Sequence, residues 1–392
     1  MRIDPDVARE DLKRIDELMR QGIQRDAVTG KEYFTGYSYN TLYDWDQYFE
    51  AIVQRYLDWD LQYIRNGVTI FLDNQYEDGF ITRCIPTGSS DEKTEHVKPF
   101  LAQISILLYQ WEGSLNWLNE IYYARMKKYL LYWLDRKDPN GNGLSTWDSG
   151  PHSGMDDQIE RVGPWKSCFC EGVDLNSFLY RECTAFSKLA GIKGKLDDED
   201  YFMKRASVLK DNICNHLWCE EDGFFYDRDE RTGEFIRVKS SSGFSPLWAG
   251  IASREQAEIL VSRHLLNPAE FWRAFPVPSY AATEPGYREE HMEQDVGCNW
   301  RAQTWIPVNY YIMHGLMKYG YHETARELAW KTYENVKKIG DREYYSTDSQ
   351  TGRGLDPFWG WSLLAYFMPS EIETGYDPTD LSEGMWELKL KL

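Results

Sequence analysis

The chain has 392 residues, of which 42% are hydrophobic and 27% charged, and its formal net charge is −19. This composition is typical of a globular protein with a large core, and the Lys and Arg residues are interleaved with acids, which argues against a nucleic-acid-binding protein. No segment approaches the about 18 consecutive apolar residues of a membrane span, so no contact with a membrane is expected. The 16 Trp and 27 Tyr are unusual. Several lie beside Gly, Pro and Asp, where a sugar-binding surface explains them better than a core does.

The cysteines and the N-terminal segment are informative about the cellular compartment of the protein. The seven cysteines are scattered, and Cys168 and Cys170 have neither the spacing nor the partners of a zinc site. Buried, reduced thiols are the preferred interpretation. The segment 1–21 is charged and amphipathic and lacks the apolar centre of a signal peptide. We therefore expect a cytoplasmic protein.

Helical periodicity runs through nearly the whole chain, and sustained strand alternation is missing apart from short candidates at 224–227 and 235–238. One predicted helix begins near residue 42, and the others cover about 6–21, 61–72, 100–111, 118–134, 174–190, 197–217, 245–251, 253–263, 305–318, 322–338 and 359–367.

A Gly followed by an apolar residue recurs some way after a helix, at Gly79-Phe80, Gly143-Leu144, Gly223-Phe224 and Gly354-Leu355. This recurrence suggests helix pairs stacked in a ring with their turn loops on one rim. About twelve such helices predict an all-α fold, the (α/α)6 barrel. Because no low-complexity linker interrupts the chain, residues 1–392 are expected to form a single domain, with the last twenty residues lying on its surface.

The segment 147–157, WDSGPHSGMDD, is too rich in Gly, Pro, Ser and Asp to predict a helix. It nevertheless contains three carboxylates, His152 and Trp147. An indole can stack on a sugar face, and a carboxylic acid can protonate a sugar oxygen, so the segment is a candidate glycosidase loop. The alternative is a loop whose carboxylates cap backbone N–H groups.

Other loops also combine acids or amides with aromatic residues. Tyr43, Trp45 and Asp46 open a predicted helix, where the Asp could equally be a helix cap. Trp300 and Trp305 lie five positions apart; Trp300 is a candidate sugar platform, whereas core packing is the simpler interpretation of Trp305 taken alone. Glu343, followed by two Tyr, is a candidate general base, although a lone loop Glu is usually only a solvated charge.

Asp138, Asn140 and Asn142 have the spacing of a calcium loop. The twelfth position is Ser149 rather than Glu, so the bidentate ligand is missing and a structural turn is preferred over bound Ca²⁺. The His residues lack paired zinc spacing. No cofactor is expected to be required.

Several motifs together resemble glycoside hydrolase family 63, in its bacterial branch that includes glucosylglycerate and mannosylglycerate hydrolases. Ser153 to Asp156 match an E-S-G-M-D motif, although His152 stands in place of Glu. The segment 75–83, QYEDGFITR, is similar to Q-x-x-D-G-x-I-P-R, with Thr82 in place of Pro. Further similar segments lie in the family's order at 43–46, 173–180, 275–279, 300–305 (with Ala302-Gln303 where Gly-Pro is typical) and 342–345.

The resemblance implies the (α/α)6 barrel that this family shares with trehalases and glucoamylases. It also implies Asp156 as general acid and Glu343 as general base of an inverting reaction, which requires two carboxyl groups about 6.5–9.5 Å apart. Burial against Trp147 could keep Asp156 protonated. Asp148 and Asp157 are the rival acids. The residues expected to bind the sugar are Tyr43, Trp45, Asp46, Gln103, Trp147, His152, Trp300, Arg301 and Trp305.

The sequence thus predicts an exo-acting, inverting glycosidase that cleaves a short α-linked glucoside or related hexoside: a disaccharide, a glycosyl-glycerate or an oligosaccharide end. A small carbohydrate is the expected partner, and the sequence does not indicate an oligomeric state. Two alternatives stay open. A sugar epimerase or isomerase on the same barrel would need facing His residues, and a sugar-binding protein without catalysis would not need both carboxylates.

Overall fold

The computed structural model describes residues 3–86, 94–164, 166–292 and 297–381. Within these ranges most of the ordered structure is helical. The α-helices are α1 (Pro5–Met19), α2 (Asp44–Tyr56), α3 (Gln62–Asp73), α4 (Leu101–Glu112), α5 (Glu120–Leu131), α6 (Gly150–Ser153), α7 (Ile159–Val162), α8 (Val173–Ile192), α9 (Leu196–Asn212), α10 (Ser245–Ala249), α11 (Arg254–Ile259), α12 (Ile306–Lys318), α13 (His322–Ile339) and α14 (Met368–Thr374). Short π-helical segments, Tyr132–Arg136, Ile213–Leu217 and Leu260–Leu265, extend α5, α9 and α11, and 3₁₀ helices cover Arg20–Gly22, Ser241–Phe244 and Trp361–Tyr366.

Six helical elements form a closed inner ring. In order of contact they are α2, α4, α8, α10, α12 and the 3₁₀ helix Trp361–Tyr366, which packs back against α2. The residues of these elements are almost all buried; α4, for example, buries nine of its side chains, from Leu101 to Gln110. A helix that is apolar nearly all round requires neighbours on every side, which explains its inner position.

An outer layer surrounds this ring. Each of α3, α5, α9, α11 and α13 follows an inner helix, and their polar faces point to solvent, as in α9, where only Phe202, Ala206 and Leu209 are buried. α1 and α14 cover the last inner element: Arg14 of α1 donates to the Tyr366 hydroxyl at 2.6 Å, and α14 packs on α13 and on the 3₁₀ helix. The predicted (α/α)6 barrel is therefore confirmed.

Short antiparallel strands tie the connecting loops together. They are β1 (Ile23–Arg25), β2 (Glu32–Phe34), β3 (Leu42–Tyr43), β4 (Cys84–Ile85), β5 (Thr146–Trp147), β6 (Cys170–Glu171), β7 (Trp218–Cys219), β8 (Phe224–Phe225), β9 (Asp227–Asp229), β10 (Phe235–Ile236), β11 (Gln303–Thr304), β12 (Tyr344–Ser346) and β13 (Gly352–Arg353). The larger sheets have the orders β10-β9-β6-β5 and β11-β12-β13. Pairing of Gln303 with Ser346 and of Thr304 with Tyr345 joins the loop before α12 to the segment after Glu343.

Two local expectations need correction. The segment 147–157 contains a short helix, α6, because the Ser149 side chain accepts the His152 N–H at 3.0 Å and Pro151 occupies the first turn. Gly154 then ends the helix at a φ of 83°. The helix expected at 359–367 is a 3₁₀ helix, Trp361–Tyr366, in place of an α-helix.

The described end of the chain lies only partly on the surface expected for it: residues 373–375 are exposed, whereas residues 376, 378 and 379 are buried. Residues 376–381 enter the end of the ring where the inner helices finish, and Thr379 is fully buried. Its side chain accepts a hydrogen bond from Trp248 Nε1 at 2.9 Å, and its carbonyl accepts one from Arg181 at 2.7 Å. We call this segment the floor of the barrel. Residues 382–392 of the expected surface segment lie outside the described residues.

None of the described helices combines the length and apolarity that crossing a membrane would require.

Candidate active site

A cavity of ≈ 120 Å³ lies at the end of the barrel opposite the floor, where the inner helices begin. The free N–H groups of helix N-termini create a locally positive field there, which stabilises ionised carboxylates. The residues lining the cavity are Tyr37, Tyr39, Tyr43, Asp44, Trp45, Asp46, Arg83, Lys98, Gly154, Asp156, Cys298, Trp300, Trp305, Glu343 and Trp361.

Asp156 lies just after α6, where the left-handed Gly154 turns the chain into the cavity. Its carboxylate accepts a hydrogen bond from the Cys298 backbone N–H at 2.9 Å. The side chain lines the cavity, and burial raises the pKa of Asp156 to about 7, even though the charges of Arg83 and Lys98 act in the opposite direction. A carboxyl with such a pKa carries its proton for part of the time at neutral pH.

Glu343 reaches the same cavity from the segment before β12. Its Oε2 accepts the Leu355 N–H at 3.0 Å, and its Oε1 accepts a hydrogen bond from the Cys298 thiol at 3.6 Å. The backbone carbonyl of Glu343 is anchored by Trp361 Nε1 and Ser362 Oγ, each at 3.2 Å. Burial raises the pKa of Glu343, while the two donors on its carboxylate moderate that rise.

Aromatic rings form one side of the cavity. Trp300 and Trp305 are stacked with centroids 3.7 Å apart and 6° between their planes, and Tyr344 stacks on the other face of Trp305 at 4.4 Å. Trp45 lies 5.8 Å from Trp300. Flat apolar faces of this kind suit the C–H faces of a pyranose ring.

Polar groups line the cavity beside these rings. Asp46 accepts a hydrogen bond from the Tyr37 hydroxyl at 3.0 Å, and burial, followed by the neighbouring charge of Asp44, raises the pKa of Asp46 to about 8. Lys98 lies 3.1 Å from Asp44, and Arg83 forms a 2.6 Å ion pair with Glu95 while donating to the Pro151 carbonyl at 3.0 Å. The cavity therefore contains both acids and cations.

The structure brings seven of the predicted site residues together around this cavity: Asp156, Glu343, Tyr43, Trp45, Asp46, Trp300 and Trp305. Sequence reasoning did not select several other lining residues, among them Tyr37, Cys298 and Trp361. Arg83 and Lys98 carried a usable signal, since Arg83 ends the family-like segment 75–83 and Lys98 precedes α4.

Trp147 and His152 lie outside the cavity lining, contrary to expectation. The Trp147 indole donates to Asp174 at 2.9 Å, and His152 Nε2 lies 2.7 Å from the carbonyl of His96. Trp147 and His152 pack against each other with centroids 5.1 Å apart. Both side chains make their contacts within the protein core, so Asp156 is buried by the residues that line the cavity and not by Trp147.

Gln103 and Arg301 also lie behind the cavity wall. The Gln103 side chain accepts a hydrogen bond from Arg181 at 2.9 Å. Arg301 donates to the Asp157 carboxylate at 3.1 Å and to Glu160 at 2.8 Å. Their contacts hold the inner helices and the loop before α12 in place, so both residues support the site from outside it.

Asp148 and Asp157, the rival candidates for the general acid, both make structural contacts outside the cavity. Asp157 accepts the Trp300 N–H at 2.7 Å as well as the Arg301 guanidinium. Asp148 forms an ion pair with Lys137 at 2.7 Å, and although burial alone would raise its pKa, His152 and Lys137 hold the pKa of Asp148 well below its usual value. Neither carboxylate lines the cavity.

The segment with calcium-loop spacing is a hydrogen-bonded turn. The Asp138 carboxylate accepts the N–H groups of Asn142 at 3.1 Å and of Gly143 at 2.9 Å. The Asn140 and Asn142 side chains donate to Glu171 at 3.1 and 2.6 Å. The hydrogen bonds of Asp138 within the turn, together with those to Glu171, are sufficient to explain the conformation of this segment.

Known proteins resemble this chain in sequence. A family model described as the mannosylglycerate hydrolase MGH1-like glycoside hydrolase domain matches residues 39–362. The mannosylglycerate hydrolase of Thermus thermophilus is 30% identical over 212 residues, which are 53% of this chain and 47% of that protein. Mannosylglycerate hydrolase MGH1 of Selaginella moellendorffii is 32% identical over 185 residues, or 46% of this chain and 35% of that protein. The matches thus span half or less of these curated relatives.

Solved structures show the same fold. The crystal structure of a mannosylglycerate hydrolase of glycoside hydrolase family 63 from Thermus thermophilus, in complex with glucose, superimposes with a TM-score of 0.73 at 21% identity and covers 91% of this chain and 99% of that one. Neutral trehalase Nth1 of Saccharomyces cerevisiae gives a TM-score of 0.67 at 18% identity, covering 89% and 76%. Because the family model matches most of its length, the chain belongs to the mannosylglycerate hydrolase MGH1-like family of glycoside hydrolases, within glycoside hydrolase family 63.

Proposed function

We propose that this protein is an inverting, exo-acting glycoside hydrolase that cleaves a short α-linked glucoside or related hexoside. One observation carries the proposal: Asp156 and Glu343, 187 positions apart in the sequence, line one cavity and are both hydrogen-bonded to Cys298. A pair of carboxyl groups on either side of one sugar is the arrangement that glycoside hydrolysis uses.

Asp156 is the proposed general acid. With a pKa of about 7, its carboxyl can donate a proton to the glycosidic oxygen as the bond to the leaving group breaks. Glu343 is the proposed general base: as a carboxylate it removes a proton from a water molecule, and that water attacks the anomeric carbon from the opposite face. Attack from the opposite face inverts the anomeric configuration.

The sugar whose bond is cleaved is placed against Trp300 and Trp45, with the Asp46 carboxyl hydrogen-bonded to its hydroxyl groups. Aromatic stacking supplies apolar contact area. The buried Asp46 carboxyl supplies specificity, because a sugar that offers it no hydroxyl group would leave part of its hydrogen-bonding capacity unsatisfied. The small volume of the cavity favours the end of a chain over the interior of a polymer.

The leaving group is proposed to be small. Asp156 lies beside the charges of Arg83 and Lys98, so an acidic aglycone such as glycerate is a reasonable member of the substrate class, as are disaccharides. The named activity of the relatives, mannosylglycerate hydrolysis, points the same way. Arg83 and Lys98 are each already paired with an acid of the protein, so the site does not require a negatively charged aglycone, and the proposed substrate class includes neutral aglycones.

The alternatives have less support. An epimerase or isomerase would need His residues facing the sugar, and none of the described residues that line the cavity is a His. A non-catalytic sugar-binding protein would have no use for an acid with a pKa near 7 facing a second carboxylate.

The decisive experiment incubates the purified protein with α-linked disaccharides, glucosylglycerate, mannosylglycerate and aryl α-glucosides and follows the products by ¹H NMR from the first minutes. Hydrolysis that releases the β-anomer first supports the proposal. Release of the α-anomer would rule out inversion, an epimerised product would favour the isomerase, and binding without turnover would favour a sugar-binding protein. β-linked substrates are the matched control, and they should remain intact.

A further inference from the structure

Cys298 lies between the two proposed catalytic carboxyl groups. Its backbone N–H donates to Asp156 Oδ2 at 2.9 Å, and its thiol donates to Glu343 Oε1 at 3.6 Å. Building on the proposed function, we infer that Cys298 is a positioning residue, whose neutral thiol orients the general base while its backbone holds the general acid. A single residue would thereby set the spacing of the acid and the base.

The thiol acts as a donor and not as a nucleophile. Burial raises the pKa of Cys298 well above its usual value, and the nearby charges of Glu343 and Asp156 raise it further, because a thiolate here would be another negative charge between two acids. A protonated thiol carries one weak donor and can satisfy one carboxylate oxygen. Its reactivity toward oxidants is correspondingly low.

The contacts of Glu343 explain why such a donor matters. Oε2 is held by the Leu355 N–H at 3.0 Å, and Oε1 is held by the thiol. Two donors on different oxygens fix the plane of the carboxylate, which a single donor would leave free to rotate. The phenols of Tyr37, Tyr39 and Tyr344 also lie near this charge, since Glu343 contributes to raising the pKa of each.

Substitution of Cys298 separates its two contacts. A change of side chain removes the donor to Glu343 but keeps the backbone N–H that holds Asp156. A donor stabilises the ionised form of Glu343, so its loss raises the pKa of Glu343 and moves the acidic limb of the kcat/KM profile to higher pH. The basic limb, which reports Asp156, should stay in place and serves as an internal control.

The experiment compares the pH profiles of the wild type, Cys298→Ala and Cys298→Ser on the best substrate from the glycoside panel. For Cys298→Ala we expect the acidic limb to move up by about 0.5 pH unit, the effect of one weak hydrogen bond. Cys298→Ser keeps a donor and should restore the wild-type limb. An unshifted acidic limb in Cys298→Ala, equal shifts of both limbs, or failure of Ser to restore the profile would each overturn the inference.

A second measurement does not depend on activity. ¹³C NMR titration of the Glu343 carboxyl, assigned by comparison with Glu343→Gln, should give a higher pKa in Cys298→Ala than in the wild type and the Ser variant. An unchanged Glu343 pKa would overturn the role of the thiol even in an active enzyme. If the wild type hydrolyses no glycoside, the proposed function fails, and this titration still decides whether the thiol holds Glu343.

Discussion

The two ends of the barrel treat buried carboxyl groups differently. At the floor, Glu371 accepts hydrogen bonds from Tyr56 and from Tyr310, the latter at 2.7 Å, and lies 3.0 Å from His314 Nε2. The other ring nitrogen of His314 lies 3.1 Å from Asp377. At the cavity, the hydrogen bond that holds the Asp156 carboxylate comes from a backbone N–H.

The consequence is visible in the pKa values. Burial alone would raise the pKa of Asp377, but the charges of His314 and Lys318 bring it below the usual value. Burial also acts on Asp156, and there the cations do not compensate, so its pKa rises to about 7. At the floor, cations offset the burial of the carboxylates, which favours stability. At the cavity, the cations do not offset the burial of Asp156, so its carboxyl group retains a proton that can take part in chemistry.

Removal of the cavity carboxyl groups should have the largest effect on activity. Asp156→Asn and Glu343→Gln should each lower kcat/KM by about 10²–10⁴-fold, since each removes one proton-transfer group. Steady-state kinetics measures the loss, and circular dichroism checks that the fold is retained. Near-normal rates in either folded variant would refute that residue's role.

Asp148→Asn is the matched control, because Asp148 belongs to the same loop as Asp156 but is paired with Lys137 outside the cavity. It should lower the melting temperature while leaving kcat/KM within a few-fold of the wild type. A loss of activity as large as that of Asp156→Asn, without unfolding, would make Asp148 the acid.

At the floor, His314→Ala should cost about 3–5 kcal/mol of stability, because it leaves Glu371 and Asp377 as buried charges without their shared cation. The His314 pKa is raised by these acids, chiefly Asp377, against the effect of burial. Thermal unfolding measures the effect, with Arg9→Ala in an exposed ion pair as control. An unchanged melting temperature would show that the floor does not depend on this pairing.

The pH dependence of activity tests the cavity end directly. Asp156 must be protonated to act as an acid, so kcat/KM should fall about tenfold per pH unit above the pKa of about 7. A profile from pH 4 to 9 measures this limb. If the limb lay below pH 5, the acid would be an ordinary carboxyl group and not the buried Asp156.

The raised pKa of Asp156 should also make stability depend on pH. The pKa of Asp156 is higher in the folded chain than in the unfolded one, so the unfolded state releases its proton first as pH rises. Its contribution to stability is therefore present below about pH 4 and is lost as pH rises towards 7. Asp156→Asn should melt a few degrees higher than the wild type at pH 8, and the difference should disappear at pH 4.

The barrel was predictable because about twelve segments have helical periodicity and because a Gly followed by an apolar residue recurs in the loops between them. The cavity was predictable only in part. The motif residues Asp156 and Glu343 reach it, but nothing near Trp147 in the sequence reveals that Asp174 takes its indole N–H. The same holds for His152, which is held by a carbonyl 56 positions earlier.

Residues that meet only through the closed ring were also missed. Trp361 enters the cavity because the last inner element returns to α2, and Cys298 enters it because the loop before α12 crosses between two acids. Neither position carries a local pattern, since long-range packing alone brings it to the site.

The floor has one further consequence. Residues 376–381 fill the end of the described barrel opposite the cavity, so in the proposed function substrate and products would share the opening on the cavity side. In the proposed function, an aglycone bound nearer that opening would leave before a sugar bound against Trp300. The freed monosaccharide should then compete with fresh substrate, and product-inhibition kinetics would measure this competition.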